Sequence, residues 1–326
     1  RELRVTGGEP TMSPDFWKLM DWWKDNPNCK VPFAVNSNLG QKKKLLDALI
    51  DASHNIKKFS IYSSCEAVGL QAEYIRHGLE WDVWLKNMYR INKEANLESV
   101  NVMMTINSLC LFSITEFMDE MMQLKKVFGP HAAVMSFNIL RFPSFQSIVT
   151  LPTEIRLERA AVIEKWVNDH WNEGSNGFLD IERDGLLRLI EYIRKVDTGH
   201  EFTSSLETRE RDFKSFYQQY DKRRGKDFLK AFPELKTWYE SIPETNLTPL
   251  IKAIDGDDAK SNKYVSGVLQ QAKEEGWVLN PQWSNPGSKG YIEPDEQQQD
   301  DMIDLVDDLK KGRKKVLQVN KNKTAI

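Results

Sequence analysis

The chain has 326 residues, 40% of them hydrophobic, which is enough for one large domain or two. A net charge of −3 argues against a generally basic, nucleic-acid-binding surface and leaves room only for local patches. No apolar run approaches the ~18–20 residues that span a bilayer, and no secretory signal is visible at the start. The three cysteines, Cys29, Cys65 and Cys110, lie too far apart for a zinc or cluster motif and form no disulfide framework. A cytoplasmic, reducing compartment is therefore expected.

The first half alternates short β-like runs with amphipathic helices. Glu2–Thr6 reads as a strand, and Asp15–Lys24 as a helix with Phe16, Leu19, Met20 and Trp23 on one side. Val31–Asn36 is a second strand, followed by a helix through Leu45, Leu46, Leu49 and Ile50. Lys57–Tyr62 is a third. After a long loop, Ser63–Gly78, comes a helix with Trp81, Leu85, Met88, Ile91 and Ala95 at helical spacing. Ser99–Ile106 is a fourth strand. The next helix opens at Ser113 with Glu116 three residues on, the pattern of a capping box. Ala132–Leu140 is the fifth strand.

Strands alternating with helices imply parallel β-α units, in which ligands sit at the carboxyl ends of the strands. That selects the loops Gly7–Ser13, Ser37–Gly40, Ser63–Gly78, Asn107–Phe112 and Arg141–Phe145. From Pro152 the pattern is helical only: Ile155–Trp171, Ile181–Val196, a helix bearing Phe213, Phe216, Tyr217 and Tyr220, and a fourth bearing Phe228, Phe232, Leu235 and Trp238. After about residue 246 the composition turns polar. Ala259–Glu275 and Gln299–Leu309 have the pattern of surface helices, and Lys310–Lys315 is a basic run best read as solvated. The expected domains are residues 1–150, 151–245 and a partly disordered tail, 246–326.

The sharpest local feature is Arg4-Val5-Thr6-Gly7-Gly8-Glu9-Pro10, after a strand and before a helix. Two glycines allow a tight turn and close approach of backbone to a ligand. Glu9 puts a carboxylate at the strand end, and Pro10 fixes the exit. The histidines, His54, His77, His131, His170 and His200, are scattered and make no zinc pair. Cys65, Glu66 and Glu73 lie in the selected loops, where the simpler reading is a plain small residue for Cys65 and solvated charge for the glutamates; Arg141 ends the fifth strand, where it reads as a substrate-carboxylate contact or as an ion pair with a neighbouring element.

The stretch TGGEP resembles the methionine-binding motif of the radical S-adenosylmethionine (SAM) superfamily. Three further stretches resemble later parts of that fold in order: Phe33–Gly40, Lys58–Ser64 and Glu73–Asp82. The wording is closest to phage-type members with twitch-type auxiliary domains. The resemblance covers roughly residues 3 to 145. It implies an α/β fold: a partial (β/α)6 barrel lacking its first β-α unit, with a mostly helical extension. It implies that Gly7, Gly8, Glu9 and Pro10 hold the SAM amino group, through the Glu9 side chain or the glycine carbonyls, and that Arg76 pairs with the SAM carboxylate. Ser60 and Ser63 are implied at the ribose or carboxylate, Asn38 and Asn107 along cofactor or substrate, and the Leu140 backbone at the adenine.

The family's cofactors are SAM and a [4Fe–4S] cluster. Its Cys-x3-Cys-x2-Cys loop is not in this sequence, so the cluster ligands are expected upstream of Arg1, in a longer protein, and no metal ligand is assigned here. The resemblance implies reductive SAM cleavage, a 5′-deoxyadenosyl radical and hydrogen abstraction from a peptide or small molecule, with an electron donor as partner. The alternative is a non-catalytic, cluster-less binding protein on the same scaffold. No catalytic residue is identified, and no membrane or nucleic-acid partner is expected.

Overall fold

The computed structural model describes residues 2–41, 43–171, 177–195 and 204–243. The expected tail helices, the basic run, His200 and the proposed tail domain lie outside them.

Five strands, β1 (Leu3–Val5), β2 (Phe33–Asn36), β3 (Phe59–Ser64), β4 (Ser99–Ile106) and β5 (Val134–Ile139), form one sheet in the order β1-β2-β3-β4-β5. All four pairings are parallel. Each strand neighbours the next in sequence, so right-handed crossovers carry every connecting helix to the same side. This is the α/β arrangement of an opened β-α barrel, as the alternation of elements predicts.

The helices between the strands are α1 (Pro14–Asp25), α2 (Lys43–Ser53), α3 (Gly69–Ile75), α4 (Trp81–Glu94) and α5 (Ile114–Phe128). After β5 come α6 (Thr153–His170), α7 (Asp180–Arg194), α8 (Leu206–Arg224), α9 (Phe228–Ala231) and α10 (Lys236–Ser241). Neighbouring helices pack in chain order, α1 on α2, α2 on α4, α4 on α5, α5 on α6 and α6 on α7, and α7 lies against β5. The described residues belong to one compact unit, Arg1–Glu244. Among them no helix is long and apolar enough to cross a membrane.

Burial along the strands has a period of two. On β4, Val100, Val102, Met104 and Ile106 are buried against the helices, while Ser99, Asn101, Met103 and Thr105 are half-buried on the opposite face. The parallel register carries the same division across the sheet. Phe33, Phe59 and Val35 share the helix side, where Phe33 stacks on Phe59 with ring centroids 5.3 Å apart and meets Trp23 at 5.1 Å. The other face carries Arg4, Asn36, Tyr62, Ser64, Asn101, Thr105, Ser136 and Asn138.

Local chemistry corrects four expectations. β3 runs on through Ser63 and Ser64, and α3 occupies part of the expected loop. Ser113 makes no capping box: it precedes α5 without a side-chain cap, and its Oγ accepts from Val68 N at 3.3 Å, tying the β3 loop to α5. The fourth C-terminal helix is broken into α9, a 3-10 turn and α10, because Pro233 has no N–H to continue the first piece.

One buried ion pair joins the helical stretch to the sheet. Lys125 on α5 donates to both oxygens of Glu182 on α7 at 2.5 Å, and both side chains are fully buried. Glu182 also accepts from Met135 N of β5 at 2.7 Å and from Leu179 N at 2.8 Å. Three bars of the frame therefore meet at one carboxylate. Close by on α7, a Cβ added at Gly185 would lie 2.9 Å from Phe137 Cδ2, which sets how tightly α7 seats on β5.

Glu182→Ala leaves the buried Lys125 ammonium without its counter-charge, held only by Gly177 O at 3.1 Å, and should lower stability by about 3–5 kcal/mol. Gly185→Ala should lower it by about 1–3 kcal/mol through overpacking. Urea unfolding followed by far-UV circular dichroism measures both, and a loss under ~1 kcal/mol in Glu182→Ala would show that the pair is dispensable.

Candidate functional site

The carboxyl ends of β1 to β5 lie along one edge of the sheet, and the residues singled out by sequence cluster along that edge. Gly7 and Gly8 follow β1 with φ of +96° and +55°, a region that side-chain-bearing residues rarely enter. Both are exposed, and an added Cβ at either would meet nothing within 4 Å. Their conformation is thus required by the path of the chain and not by crowding. The result is a short length of exposed, polar backbone at the end of β1.

Glu9 does not face outward from that shelf. Its carboxylate accepts from Thr11 Oγ1 at 2.7 Å, Thr11 N at 3.3 Å, Ser37 Oγ at 3.0 Å, Asn38 N at 2.7 Å and Gln41 Nε2 at 3.1 Å. It caps the turn at Pro10–Met12, where Pro10 is buried at the first position, and clamps the β1 loop to the β2 loop. A carboxylate with this many donors is already compensated. Its side chain is thus engaged within the fold, whereas the Gly7 and Gly8 backbone is exposed.

The β2 loop is built round the same clamp. Ser37 Oγ accepts from Leu39 N, and Gln41 Nε2 closes on it in a short hydrogen bond. Leu39 sits at φ +50°, unusual for a branched side chain, and is held there by full burial and by Asn87 Nδ2 on its carbonyl at 2.8 Å. Asn38 is exposed, and its Oδ1 accepts from Gly40 N, so it shapes the turn while remaining accessible.

Beyond β3 lies a second clamp. Glu66 is buried, and Arg76, at the end of α3, meets it as a fork: Nε to Oε1 at 2.9 Å and Nη2 to Oε2 at 2.5 Å. Glu66 Oε2 also accepts from Thr105 N of β4 at 3.3 Å. Burial pulls the Arg76 pKa down, but the adjoining Glu66 charge and hydrogen bonds outweigh it, and the net shift is upward. Glu73, read from sequence as loop charge, instead accepts from Trp81 N and caps α4. His77 is exposed.

Ser60 and Ser63 part company. Ser60 lies on the open face, with its Oγ accepting from Ser99 Oγ at 3.0 Å. Ser63 lies on the helix side, fully buried, and accepts from Trp84 Nε1 at 2.9 Å, away from the face that carries Ser60. Asn107 is likewise a turn residue: its Oδ1 accepts from Leu109 N and Cys110 N. Leu140 N bonds Ile106 O at 2.9 Å and extends the β4–β5 ladder; its place at strand end is the expected one. Arg141 lies over the Tyr192 ring at 5.7 Å.

The open face itself escaped the sequence reading. Arg4 lies over the Tyr62 ring at 3.8 Å, reaching across β2 past the small Ala34. Asn36 Nδ2 makes only a long contact to Met103 Sδ at 3.5 Å, and its buried Oδ1 has no partner. The alternation S-V-N-V-M-M-T-I on β4 carries the signal for a polar second face. An open groove lined by Thr11, Met12, Pro14, Trp17, Lys18, Asp21 and Leu45 lies at the start of α1 and includes none of the other strand-end residues.

The cysteines do not fit an iron–sulfur cluster. Cys65 is buried, its thiol pushed up to about 12 by desolvation and then by the Glu66 charge. Cys110 is also buried and shifted well upward by desolvation first. Among the described residues no three His, Cys, Asp or Glu side chains are grouped to hold a metal ion.

No protein-family model matches the chain, and no curated protein matches it. Among solved structures it is similar to a domain of pyruvate-formate lyase-activating enzyme from Bacteroides vulgatus ATCC 8482, at 14% identity over 51% of this chain and 94% of that one, with a TM-score of 0.36. At that score the likeness carries no argument, and the α/β fold rests on the strand order and register.

Thiolate is the species that alkylates. In the folded protein at pH 8, iodoacetamide should therefore modify the half-buried Cys29 first and leave Cys65 and Cys110 intact; all three should react in denaturant. Intact mass with peptide mapping reads this out, and rapid native labelling of Cys65 would contradict the buried placement.

Proposed function

We propose that this chain supplies the SAM-binding part of a radical SAM enzyme acting on a peptide or small-molecule substrate, with a separate electron donor. The observation that carries the reading is the exposed, left-handed Gly7–Gly8 backbone at the end of the first strand of a sequentially ordered parallel sheet. Such a shelf offers carbonyl oxygens to an ammonium group. Pro10 and the Glu9 clamp fix its position, so it needs little ordering on binding. Arg76 brings a permanent cation to the same edge of the sheet for a carboxylate. Ser60, Asn36 and Asn38 offer hydroxyl and amide groups for a ribose or a substrate.

When bound with a reduced cluster, SAM supplies a 5′-deoxyadenosyl radical. The described residues do not fit the cluster, so this chain's share of the chemistry is to bind, orient and shield. A second reading, a cluster-less binding protein on the same scaffold, draws on one specific feature: the two cysteines nearest the strand ends are buried, protonated thiols.

Equilibrium dialysis with labelled SAM should show saturable binding. A Gly7→Val, Gly8→Val double variant should bind roughly tenfold or more weakly, since each valine is strained at positive φ by ~1–3 kcal/mol. Absence of saturable binding by the unaltered chain would sink the reading. The chain alone, incubated with SAM, iron, sulfide and dithionite, should release no 5′-deoxyadenosine. Appreciable release by chromatography would show that cluster ligands are present in it after all.

A further inference from the structure

The Glu66–Arg76 pair has a feature that simple neutralisation does not require. Glu66 takes Nε and Nη2 of the guanidinium, one whole edge of the fork. Arg76 Nη1 has no partner among the described residues, and 28% of the side chain is exposed while Glu66 shows 2%. Glu66 is itself fixed, because Thr105 N of β4 donates to Oε2 and Glu66 stands two residues beyond the end of β3. The guanidinium is planar, so fixing one edge fixes the direction of the other. Arg76 belongs to the turn after α3, where its carbonyl accepts from Leu79 N, so its backbone is tethered as well.

We infer that Glu66 is a positioning residue: by holding Nε and Nη2 it aims the free Nη1 edge of Arg76 at the carboxylate of the bound ligand. The inference rests on the reading that a SAM-like amino acid binds at these strand ends. Arg76 then meets the ligand carboxylate with its remaining edge and not with the fork held by Glu66. Recognition of that carboxylate depends on a residue that never touches it. A lysine at position 76 would give its single ammonium to the buried Glu66 and leave no directed donor for the ligand.

The test compares SAM with its decarboxylated analogue, S-adenosylmethioninamine, by calorimetry on the full chain and on the Glu66→Gln and Arg76→Lys variants, with thermal unfolding as a check of folding. Arg76→Lys keeps the buried charge paired and serves if Glu66→Gln is unstable. The unaltered chain should prefer SAM by roughly tenfold or more, the size of one charge-assisted hydrogen bond. In both variants that preference should fall toward unity while affinity for the decarboxylated compound is retained. A purely structural role would weaken both ligands equally, and that result overturns the inference. So does a preference that survives in the variants, or equal binding of the two compounds by the unaltered chain. If the unaltered chain binds neither compound, the SAM reading fails and takes this inference with it.

Discussion

An all-parallel sheet whose strands lie side by side in sequence order, joined by crossovers of one hand, carries its connecting helices on one face only. The rest of this molecule follows from that constraint. The covered face is a continuous apolar layer, with Trp23, Phe33 and Phe59 at one side and Ile106 and Met135 at the other. The face that no described helix covers carries serines, a threonine and asparagines. The strand ends, where the two faces meet loops, hold a half-buried carboxylate, Glu9, and a buried one, Glu66, that the fold has to satisfy.

Two of those carboxylates are handled differently. Glu9 is surrounded by neutral donors, two of them backbone N–H groups, and so fixes loops without consuming a cation. Glu66 is met by a full positive charge together with a strand N–H. The first arrangement makes a rigid turn; the second makes a rigid cation. Both leave the Gly7–Gly8 shelf at the end of β1 free of internal obligations among the described residues.

Much of the fold was legible because its signals are local. Helical spacing in Trp81–Ala95 and the eight-residue alternation of β4 marked those elements closely. The failures also have local causes. Ser63 and Ser64 are weak strand formers, so β3 was read two residues short and Ser63 was assigned to a loop. Parity then misleads: Ser60 and Ser63 are three apart, and on a continuous strand they must face opposite ways. Position α3 escaped because Gly69, at φ +51°, opens a helix with no side-chain cap. The turn at Gly7–Pro10 was readable, but the hydrogen-bond roles of the residues around it were not. Nothing local shows that Glu9 turns back to residues about thirty positions on, or that Arg76 is claimed by a glutamate ten residues earlier.

The carboxylate shared by α5, β5 and α7 has a consequence in time. Met135 N finds its side-chain acceptor 47 residues later in the chain, and the Lys125 ammonium its counter-charge 57 later. During synthesis β5 and the inner end of α5 emerge well before Glu182 does. Until then a buried cation and the start of an edge strand have no match, and full enclosure of either is unfavourable. The last strand of the sheet is therefore sealed only after α7 has left the ribosome, which makes the helical stretch a closing element of the sheet's assembly and not an appendage to it.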